Sequence, residues 1–374
     1  MLRVLTFGRF ADADFGGLER YVFELAHGLR REAQFVNIVA RRGAPPDLAV
    51  EGDTVYARSF GEIGGVPVCP SMPWHARTLH GRKPFDIVHL QFPADPMAHA
   101  ATLLLPRQVK RVVTWHSDIV RQRNLLRLYR PFLDRLVRSA DAIILPTPAH
   151  GSSSQQLGAA SPAKFRVVPY GTDLGRFRAR HPGADAIRAR SKARVLVFAL
   201  GRHVYYKGFE YLIRALPAVP KLHLLLGGRG PLTDDLVRLA AALGVAERCE
   251  FVGRIPEEAL PAYYHACDIF CMPSVERAEA FGFVQIEAMA AGRPVVCCEL
   301  HNGVTYVNRD GETGLVVPPA DVAALAAALA RLAGDRALRA RLGAQARERV
   351  FREFTVDAMA RATLGVYRKV LESK

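Results

Sequence analysis

Two glutamates eight residues apart, Glu279 and Glu287, are the residues of this chain whose types and spacing most clearly suggest chemistry. Between them stand Phe281, Gly282 and Phe283, where a polar loop is predicted to enter a helix. The first N–H groups of a helix have no acceptor within the helix, so this end suits a phosphate or an array of hydroxyls. Because Gly282 has no side chain, a ligand can approach the backbone closely. The stretch therefore suggests a ligand with both a phosphate and vicinal hydroxyls, such as a nucleotide-sugar.

Two cations elsewhere in the chain complement these carboxylates. Arg202 follows an apolar run that is typical of a strand, and Lys207 precedes Gly208 at the start of the next predicted helix. Arginine can bridge two phosphate oxygens while lysine supplies a point charge, so the pair suits a diphosphate. In open α/β sheets such ligands bind beyond the carboxyl ends of the strands. The sequence therefore predicts a diphosphate site at the same sheet edge as the two glutamates.

The first half of the chain offers weaker candidates. Gly16 and Gly17 precede a predicted helix without forming the dinucleotide-binding fingerprint, and either a tight turn or a ligand-contacting loop accounts for them. His116 follows a predicted strand, where chemistry occurs in open α/β sheets, so we expect it to have a functional role. Asp12 and Asp14 resemble a metal-binding pair but stand in no cluster of ligands, so no metal site is predicted.

The elements that must position these residues alternate between strand and helix in both halves of the chain. In the first half, strands are predicted at 2–7, 35–40, 85–90, 111–115, 142–145 and 165–168, with a helix at 18–31. In the second half, strands are predicted at 194–200, 222–226, 249–252, 268–272 and 295–298, with helices at 208–216, 232–243, 256–266 and 282–291. Such alternation predicts an α/β fold with a parallel sheet in each half.

A turn-rich stretch at 169–177 and a polar segment at 178–193, rich in Ala and Arg, separate the two series. The sequence therefore predicts two domains, residues 1–175 and 176–354, followed by a C-terminal helical segment at 355–374. A length of 374 residues is sufficient for two domains that each have a core.

The charge of the chain is unusual, because 51 Lys and Arg residues against 36 Asp and Glu residues give a net charge of +15. A basic surface favours anionic partners such as nucleic acid, a nucleotide diphosphate or anionic lipid. The basic segment 121–138 carries six arginines among spaced apolar residues, with Pro131 kinking the helix or starting a second one. It is interpreted as a surface helix or as a patch for an anionic membrane or an acidic acceptor. No nucleic-acid-reading motif is found, so nucleic acid is not expected as a partner.

Cysteine usage and hydropathy indicate the compartment. The six cysteines lack zinc-type pairs, and several stand in apolar strands, which is typical of buried thiols in a reducing cytoplasm. No apolar run reaches the ~18 residues of a transmembrane helix, and the N-terminus lacks a long apolar leader. We therefore expect a cytoplasmic protein, with peripheral contact to the inner face of the cytoplasmic membrane through 121–138 as an addition.

Three motifs of the second half occur in combination. They are Arg202-His-Val-Tyr-Tyr-Lys207-Gly208, the stretch from Pro273-Ser274 through Glu279 and Glu287 to Val296, and the stretch from Gly311 to Asp321. Together they resemble the retaining GT-B glycosyltransferases of family 4. The likeness covers the second domain almost continuously. In the first domain it rests on Gly16 to Glu19 and on Trp115 to Asp118.

The resemblance implies a fold of two Rossmann-like domains facing across a cleft, with the donor nucleotide held mainly by the C-terminal one. The C-terminal helix would pack back on the N-terminal, acceptor-side domain. Arg202 and Lys207 would bind the diphosphate. Glu279 would hold hydroxyls of the donor sugar, and Glu287 would hold the ribose diol.

The remaining site residues also take roles from the resemblance. Residues 281–283 would offer backbone N–H groups to the sugar or phosphate. Gly16 and Gly17 would approach the donor from the first domain, and His116 would lie beside the transferred sugar.

In one respect the chain departs from the family pattern. Many members carry Gly-Gly-x-x-Glu beyond the second glutamate, whereas this chain has His301 to Val307, with Thr305 where an acidic residue is often found. This variant resembles mannosyl- and rhamnosyltransferases of bacterial surface polysaccharide assembly. It implies a GDP-linked donor, with a UDP-linked donor as the alternative, and a glycan or polyprenyl-diphosphate-linked saccharide as acceptor.

The expected reaction is hexosyl transfer with retention, in which the nucleotide-sugar is a substrate and no cofactor or metal ion is required. Arg202 and Lys207 would stabilise the departing diphosphate, while Glu279 and His116 would hold and align the sugar. No carboxylate is obviously placed as a covalent nucleophile, which favours front-face transfer. The alternatives are a GT-B-like sugar-nucleotide epimerase and, in a different class, a basic polyanion-binding protein.

Overall fold

Parallel β-sheets covered by helices form the framework of the protein. The computed structural model describes residues 1–8, 17–42, 49–63, 66–93, 95–119, 123–191 and 194–373. The chain divides into two compact units: unit 1 comprises Met1–Thr172 and Val356–Lys374, and unit 2 comprises Asp173–Thr355. The α/β fold with a parallel sheet in each half is confirmed.

Unit 1 is built on an eight-stranded sheet. The strands described in this unit are β1 (Leu2–Gly8), β2 (Ala33–Arg42), β3 (Ala49–Glu51), β4 (Thr54–Ser59), β5 (Glu62–Ile63), β6 (Val66–Pro67), β7 (Ile87–Phe92), β8 (Lys110–Trp115), β9 (Ala142–Leu145) and β10 (Phe165–Val167). Of these, β5 and β6 form a separate two-stranded ribbon, and the other eight form the sheet. The order across the sheet is β10-β9-β8-β7-β1-β2-β4-β3, and the only antiparallel pair among its described strands is that of β3 with β4.

The helices of the first part of the chain are α1 (Gly17–Gly28), α2 (Met72–Arg82), α3 (Pro96–Leu104), α4 (Arg123–Ser139) and α5 (Pro148–Ser153). Every residue of β7 and β9 is buried, as expected for strands covered on both faces of a parallel sheet. One face of the sheet packs against α2, α3 and α4, and the other packs against α1 and the last helix of the chain.

Unit 2 contains a six-stranded, wholly parallel sheet in the order β13-β12-β11-β14-β15-β16. The strands are β11 (Val195–Leu200), β12 (Leu222–Gly227), β13 (Cys249–Gly253), β14 (Ile269–Met272), β15 (Val295–Cys298) and β16 (Gly314–Val317). The helices are α6 (Ala184–Ala189), α7 (Phe209–Ala215), α8 (Thr233–Ala242), α9 (Leu260–Ala266), α10 (Phe283–Ala290), α11 (Gly303–Val307), α12 (Val322–Gly334) and α13 (Arg336–Glu353). The order of the strands reverses between β11 and β14.

The last helix, α14 (Val356–Glu372), belongs to unit 1 although it follows unit 2 in the chain. Its Tyr367 is fully buried, and the hydroxyl lies 2.6 Å from Nδ1 of His89 in β7. The other ring nitrogen of His89 lies 2.7 Å from the hydroxyl of Thr114 in β8. His89 is therefore a core residue that links β7 to α14 through Nδ1 and to the neighbouring strand β8 through Nε2.

Two segments differ from their predicted organisation. Residues 44–84, which the sequence leaves unassigned, contain β3 to β6 and α2. The segment 178–193, predicted to separate the domains, lies within unit 2 and contains α6, in which Ala184 and Ile187 are buried. These two apolar contacts explain why a segment of polar composition folds with the unit.

Candidate functional site

The site in unit 2 lies where the strand order reverses. Ligands of open α/β sheets bind beyond the carboxyl ends of the strands at such a point. Arg202 follows β11 by two residues, and Ser274 follows β14 by two residues. Because β11 and β14 are hydrogen-bonded neighbours, the loops that follow them are adjacent.

A glycine fixes the contact between these two loops. Gly208 has a φ of 64°, and a Cβ at this position would lie 2.1 Å from the carbonyl oxygen of Pro273. The N–H of Val275 donates to the carbonyl oxygen of Tyr206 at 2.8 Å. The two loops therefore approach each other at this point as closely as main-chain atoms allow. This contact holds Lys207 against the loop after β14.

Lys207 and Glu279, two of the predicted site residues, form an ion pair. Their Nζ and Oε2 atoms are 2.5 Å apart, and only 13% of the Lys207 and 11% of the Glu279 side chain is exposed. The Ser274 hydroxyl, which is also buried, donates to the same Oε2 at 3.0 Å. Oε1 of Glu279 has no hydrogen-bond partner among the described residues. One side of this carboxylate is thus held by the protein, and the other can accept a ligand hydroxyl.

The start of α10 has the form that the sequence predicts. Gly282, at the N-cap, has a φ of 73°, and a Cβ there would lie 2.7 Å from the Cε atom of Met272. Phe281 is buried and Phe283 is exposed, so the aromatic residue before the glycine anchors the turn. The α10 helix begins one residue after the predicted start, at Phe283.

Glu287 lies one helical turn further along α10, and it is held by two residues that belong to no recognisable sequence motif. The guanidinium of Arg176 donates to its Oε1 at 3.1 Å, and the hydroxyl of Tyr264 donates to its Oε2 at 2.8 Å. Tyr264 is fully buried, and burial, followed by the charge of Glu287, raises its pKa well above the usual value of 10. The phenol therefore remains a hydrogen-bond donor over the whole physiological range.

The backbone around Arg202 is fixed although its side chain is exposed and has no partner among the described residues. The N–H of His203 donates to the carbonyl oxygen of Arg229 at 3.1 Å, and the His203 carbonyl oxygen accepts from the N–H of Leu232 at 3.1 Å. Nδ1 of His203 lies 2.9 Å from the hydroxyl of Thr233. The loops after β11 and β12 therefore form one rigid edge.

Three arginines occur at corresponding places along this edge. Arg202, Arg229 and Arg254 each come directly after a glycine at the carboxyl end of β11, β12 or β13, which are adjacent strands. All three are exposed, and within the parts of the chain that the structure describes none is paired with a carboxylate. The edge thus offers positive charge to an anionic ligand.

In unit 1, His116 follows β8 and is half-buried. Its Nε2 lies 2.9 Å from Oε1 of Gln91, and its Nδ1 lies 2.7 Å from the hydroxyl of Tyr170. Because Gln91 presents an acceptor oxygen, Nε2 carries the proton and Nδ1 accepts from Tyr170. Burial, with a contribution from His89 and His150, lowers the pKa of His116 to about 3. The ring is therefore a fixed neutral group and is not arranged as an acid or base.

Of the two glycines predicted to approach the donor from the first half of the chain, only Gly17 lies among the described residues. Gly17 is the first residue of α1, whereas Gly16, Asp12 and Asp14 lie outside the described residues. Among the residues that are described, no group of three or more His, Cys, Asp or Glu side chains is arranged to hold a metal ion.

Comparison with known proteins identifies the family. Residues 15–176 match the model described as Glycosyltransferase Family 4, and residues 184–349 match that described as Glycosyl transferases group 1. The O-antigen chain mannosyltransferase C of Escherichia coli is 30% identical over 366 residues, covering 96% of this chain and 96% of that protein. The chain belongs to glycosyltransferase family 4.

Other likenesses agree with this assignment. The D-rhamnosyltransferase WbpZ of Pseudomonas aeruginosa is 32% identical to this glycosyltransferase over 335 residues, covering 88% of this chain and 86% of that protein. The sucrose-phosphate synthase of Thermosynechococcus elongatus matches in structure with a TM-score of 0.75 at 24% identity, covering 100% of both chains. Anabaena HepE, solved in complex with UDP, matches with a TM-score of 0.77 at 18% identity, covering 98% of this chain and 100% of that one. The GT-B fold is confirmed.

The basic segment of this glycosyltransferase forms the single helix α4, with Pro131 inside it rather than at a helix start. Leu133, Leu136 and Val137 are buried, whereas 79% of Leu128 and 60% of Phe132 is exposed. None of the helices in the described ranges is both long enough and apolar enough to cross a membrane.

Proposed function

We propose that this glycosyltransferase transfers a hexose of the mannose or rhamnose type from a nucleotide-sugar, with retention, to a glycan or lipid-linked acceptor. The observation that carries the proposal is the ion pair of Lys207 with Glu279, which puts a cation and a carboxylate side by side at the switch point of the sheet. A sugar linked to a diphosphate needs both groups at one place. The names of the two bacterial relatives, a mannosyltransferase and a rhamnosyltransferase, support the choice of sugar and a role in surface polysaccharide assembly.

The donor is proposed to lie along the edge of the unit 2 sheet. Arg202 and Lys207 bind the diphosphate, and the first N–H groups of α10 assist them. Glu279 accepts a sugar hydroxyl through Oε1, because Ser274 and Lys207 both donate to Oε2. Glu287 accepts the hydroxyls of the ribose. A GDP-linked donor is favoured, with a UDP-linked donor as the alternative.

The departing nucleoside diphosphate is stabilised by preorganised charge in this proposal. Lys207 is held by Glu279 before the donor arrives, so it needs little reorganisation as negative charge develops. The exposed Arg202 side chain stands on a fixed backbone and closes on the diphosphate when the donor binds. Both oxygens of Glu287 and Oε2 of Glu279 are engaged by protein donors, which lowers the nucleophilicity of the two carboxylates. The acceptor hydroxyl therefore attacks from the face that the diphosphate leaves, and a phosphate oxygen takes its proton. No metal ion is required.

His116 is proposed to align the transferred sugar without exchanging a proton with it. Its two nitrogens are engaged by Gln91 and Tyr170, and its pKa of about 3 keeps the ring neutral. The pH dependence of kcat should consequently show no step near 6.5, the ordinary pKa of histidine.

A direct assay tests the proposed reaction. The protein is incubated with GDP-mannose or GDP-rhamnose, and with the UDP-linked sugars as comparison, together with a lipid-linked saccharide and EDTA. The proposal predicts nucleoside diphosphate release that depends on the acceptor, with the anomeric configuration of the donor kept in the product. An epimer of the donor formed without acceptor would contradict it, as would turnover that EDTA abolishes and Mg²⁺ restores.

Helix α4 is proposed to contact an anionic membrane. Leu128 and Phe132 are exposed on a helix whose exposed residues also include Arg135 and Arg138, a combination suited to the interface of acidic lipids. Sedimentation with phosphatidylglycerol vesicles tests this contact. Binding should weaken in Phe132→Ser and with added salt, and phosphatidylcholine vesicles should bind less. Equal binding to both vesicle types by wild type and variant would contradict the proposal.

A further inference from the structure

The carboxylate of Glu287 is held by two donors from distant parts of the chain. Arg176 belongs to a single helical turn, Gly175–Phe177, that starts two residues after unit 2 begins. Tyr264 belongs to α9. The two donors engage different oxygens of the carboxylate, at 3.1 Å and 2.8 Å. Bonds to both oxygens fix the plane of the carboxylate as well as its position.

The surroundings hold both donors in place. Phe177 is fully buried and packs edge-to-face against the Tyr264 ring, with the ring centroids 5.6 Å apart. The Arg176 guanidinium lies over the Phe177 ring, 4.9 Å from its centroid, and its Nη1 also donates to the Glu257 carbonyl oxygen at 3.2 Å. The segment around Arg176 therefore has little freedom to move away from Glu287.

We propose that Arg176 and Tyr264 are positioning residues that orient Glu287 for the ribose of the donor and so give the enzyme its preference for ribonucleotides. An ionised carboxylate can accept about four hydrogen bonds, so the bonds from Arg176 and Tyr264 orient it while they use only part of its capacity. A vicinal diol presents two hydroxyls in a fixed relation, and a carboxylate whose plane is set beforehand binds it at a lower cost in conformational entropy. The inference rests on the proposed role of Glu287.

Loss of either donor should weaken the binding of the ribose and leave the binding of the base and the diphosphate unchanged. Without Arg176 the carboxylate loses a charged donor to Oε1, and without the Tyr264 hydroxyl it loses a donor to Oε2. The carboxylate can then rotate, and its hydrogen bond to the 2′-hydroxyl weakens. Because hydrogen bonds to charged groups are the stronger ones, the preference for ribose over 2′-deoxyribose should fall on the order of tenfold.

Calorimetric titration with matched nucleotides measures this preference. The wild-type protein, Arg176→Gln and Tyr264→Phe are titrated with GDP, UDP and ADP and with the 2′-deoxy form of each. We expect the wild type to bind the ribonucleotide more tightly than its deoxy form. In both variants the affinity for the ribonucleotide should fall about tenfold, while the affinity for the deoxynucleotide, which presents only the 3′-hydroxyl to Glu287, should fall distinctly less.

Two matched controls lie beside the tested residues. Arg178→Gln removes an arginine of the same segment, whose guanidinium lies over Phe351 instead. Tyr263→Phe removes the neighbouring hydroxyl of α9, whose ring stacks on Phe198. Both controls should keep the wild-type preference. The melting temperature of each ligand-free variant shows whether it folds. If Arg176→Gln does not fold, the nucleotide affinities of Tyr264→Phe test the inference.

The outcomes separate the inference from the function on which it rests. If the wild type prefers ribonucleotides and both variants keep that preference, Arg176 and Tyr264 do not position Glu287 and the inference is wrong. The inference is also wrong if the variants lose affinity for ribo- and deoxynucleotides equally, because an equal loss indicates a general structural role. A wild type that binds no nucleotide, or binds both forms equally, would overturn the proposed role of Glu287 and the inference with it.

Discussion

Replacing Lys207 with methionine tests the ion pair on which the proposed function rests. Methionine keeps an unbranched side chain and removes the charge. The Glu279 carboxylate would keep the Ser274 hydroxyl as a donor at 3.0 Å but lose the ammonium at 2.5 Å. With 13% and 11% of the two side chains exposed, solvent can compensate little of that loss.

Two effects of different origin are expected from this substitution. In the ligand-free protein, removal of one member of a largely buried ion pair should lower the free energy of unfolding on the order of 3 kcal/mol. In the transition state, loss of a preorganised donor to the departing diphosphate should cost about 2–4 kcal/mol, which lowers kcat/KM about 30- to 700-fold.

Urea unfolding and steady-state transfer from the nucleotide-sugar that the wild type consumes measure the two effects. The double variant Lys207→Met with Glu279→Gln should regain part of the stability but none of the activity, because the charge of the diphosphate still lacks its partner. Lys221→Met, which alters an exposed lysine of the same unit, is the matched control and should resemble the wild type. A Lys207→Met protein with kcat/KM within about threefold of wild type would refute the assignment of Lys207 to the diphosphate.

Four further expectations concern single features of the structure. Ser274→Ala should raise the KM for the donor, with a smaller loss of kcat/KM than Lys207→Met, since it removes one donor to the first glutamate; an unchanged KM would count against this. Gly208→Ala should destabilise more than Gly244→Ala in urea unfolding, because both have positive φ (64° and 65°) but only Gly208 has a carbonyl oxygen 2.1 Å from the new Cβ. Burial lowers the pKa of His89 to about 3, so below pH 6.5 the unfolded chain binds a proton at this histidine that the folded protein does not bind. The free energy of unfolding therefore falls on acidification. Between pH 7 and 5 this loss should be about 2 kcal/mol, and His89→Gln should reduce it; an equal slope would contradict the prediction. The six buried cysteines should react with a thiol reagent only after unfolding, and rapid reaction of the native protein would contradict their burial.

Local patterns made the core of the site predictable. Lys207 and Glu279 each stand in a short motif beyond a strand end, and the topology of a parallel sheet requires such ends to lie at one edge. Gly282 is recognisable as well, because a glycine at a predicted helix start leaves the backbone open to a ligand. The role of each of these residues depends on its immediate neighbours in the chain, so it can be predicted from a short stretch of sequence.

The partners of Glu287 were not predictable in the same way. Arg176 stands 111 residues from Glu287 in the chain, and nothing in the spacing relates the two. Tyr264 is one of two consecutive tyrosines, and only the packing of α9 against α10 decides which one faces the carboxylate. Such contacts depend on how helices pack on the sheet, which the residues themselves do not encode in a readable pattern.

The small strands of unit 1 were missed for another reason. Strands β5 and β6 have two residues each, and β3 has three, so they are too short to show the alternation by which strands are recognised. The glycines and prolines between 44 and 84 also suggest loop rather than sheet.

Titration of the protein with GDP, UDP and ADP in the presence of EDTA tests whether the donor site lies at the switch point of the unit 2 sheet. We predict that one of these nucleotides binds at a single site without metal, and that Lys207→Met weakens this binding while Lys221→Met does not. If no nucleotide binds, or if binding survives Lys207→Met unchanged, the donor site is not at the switch point of the unit 2 sheet.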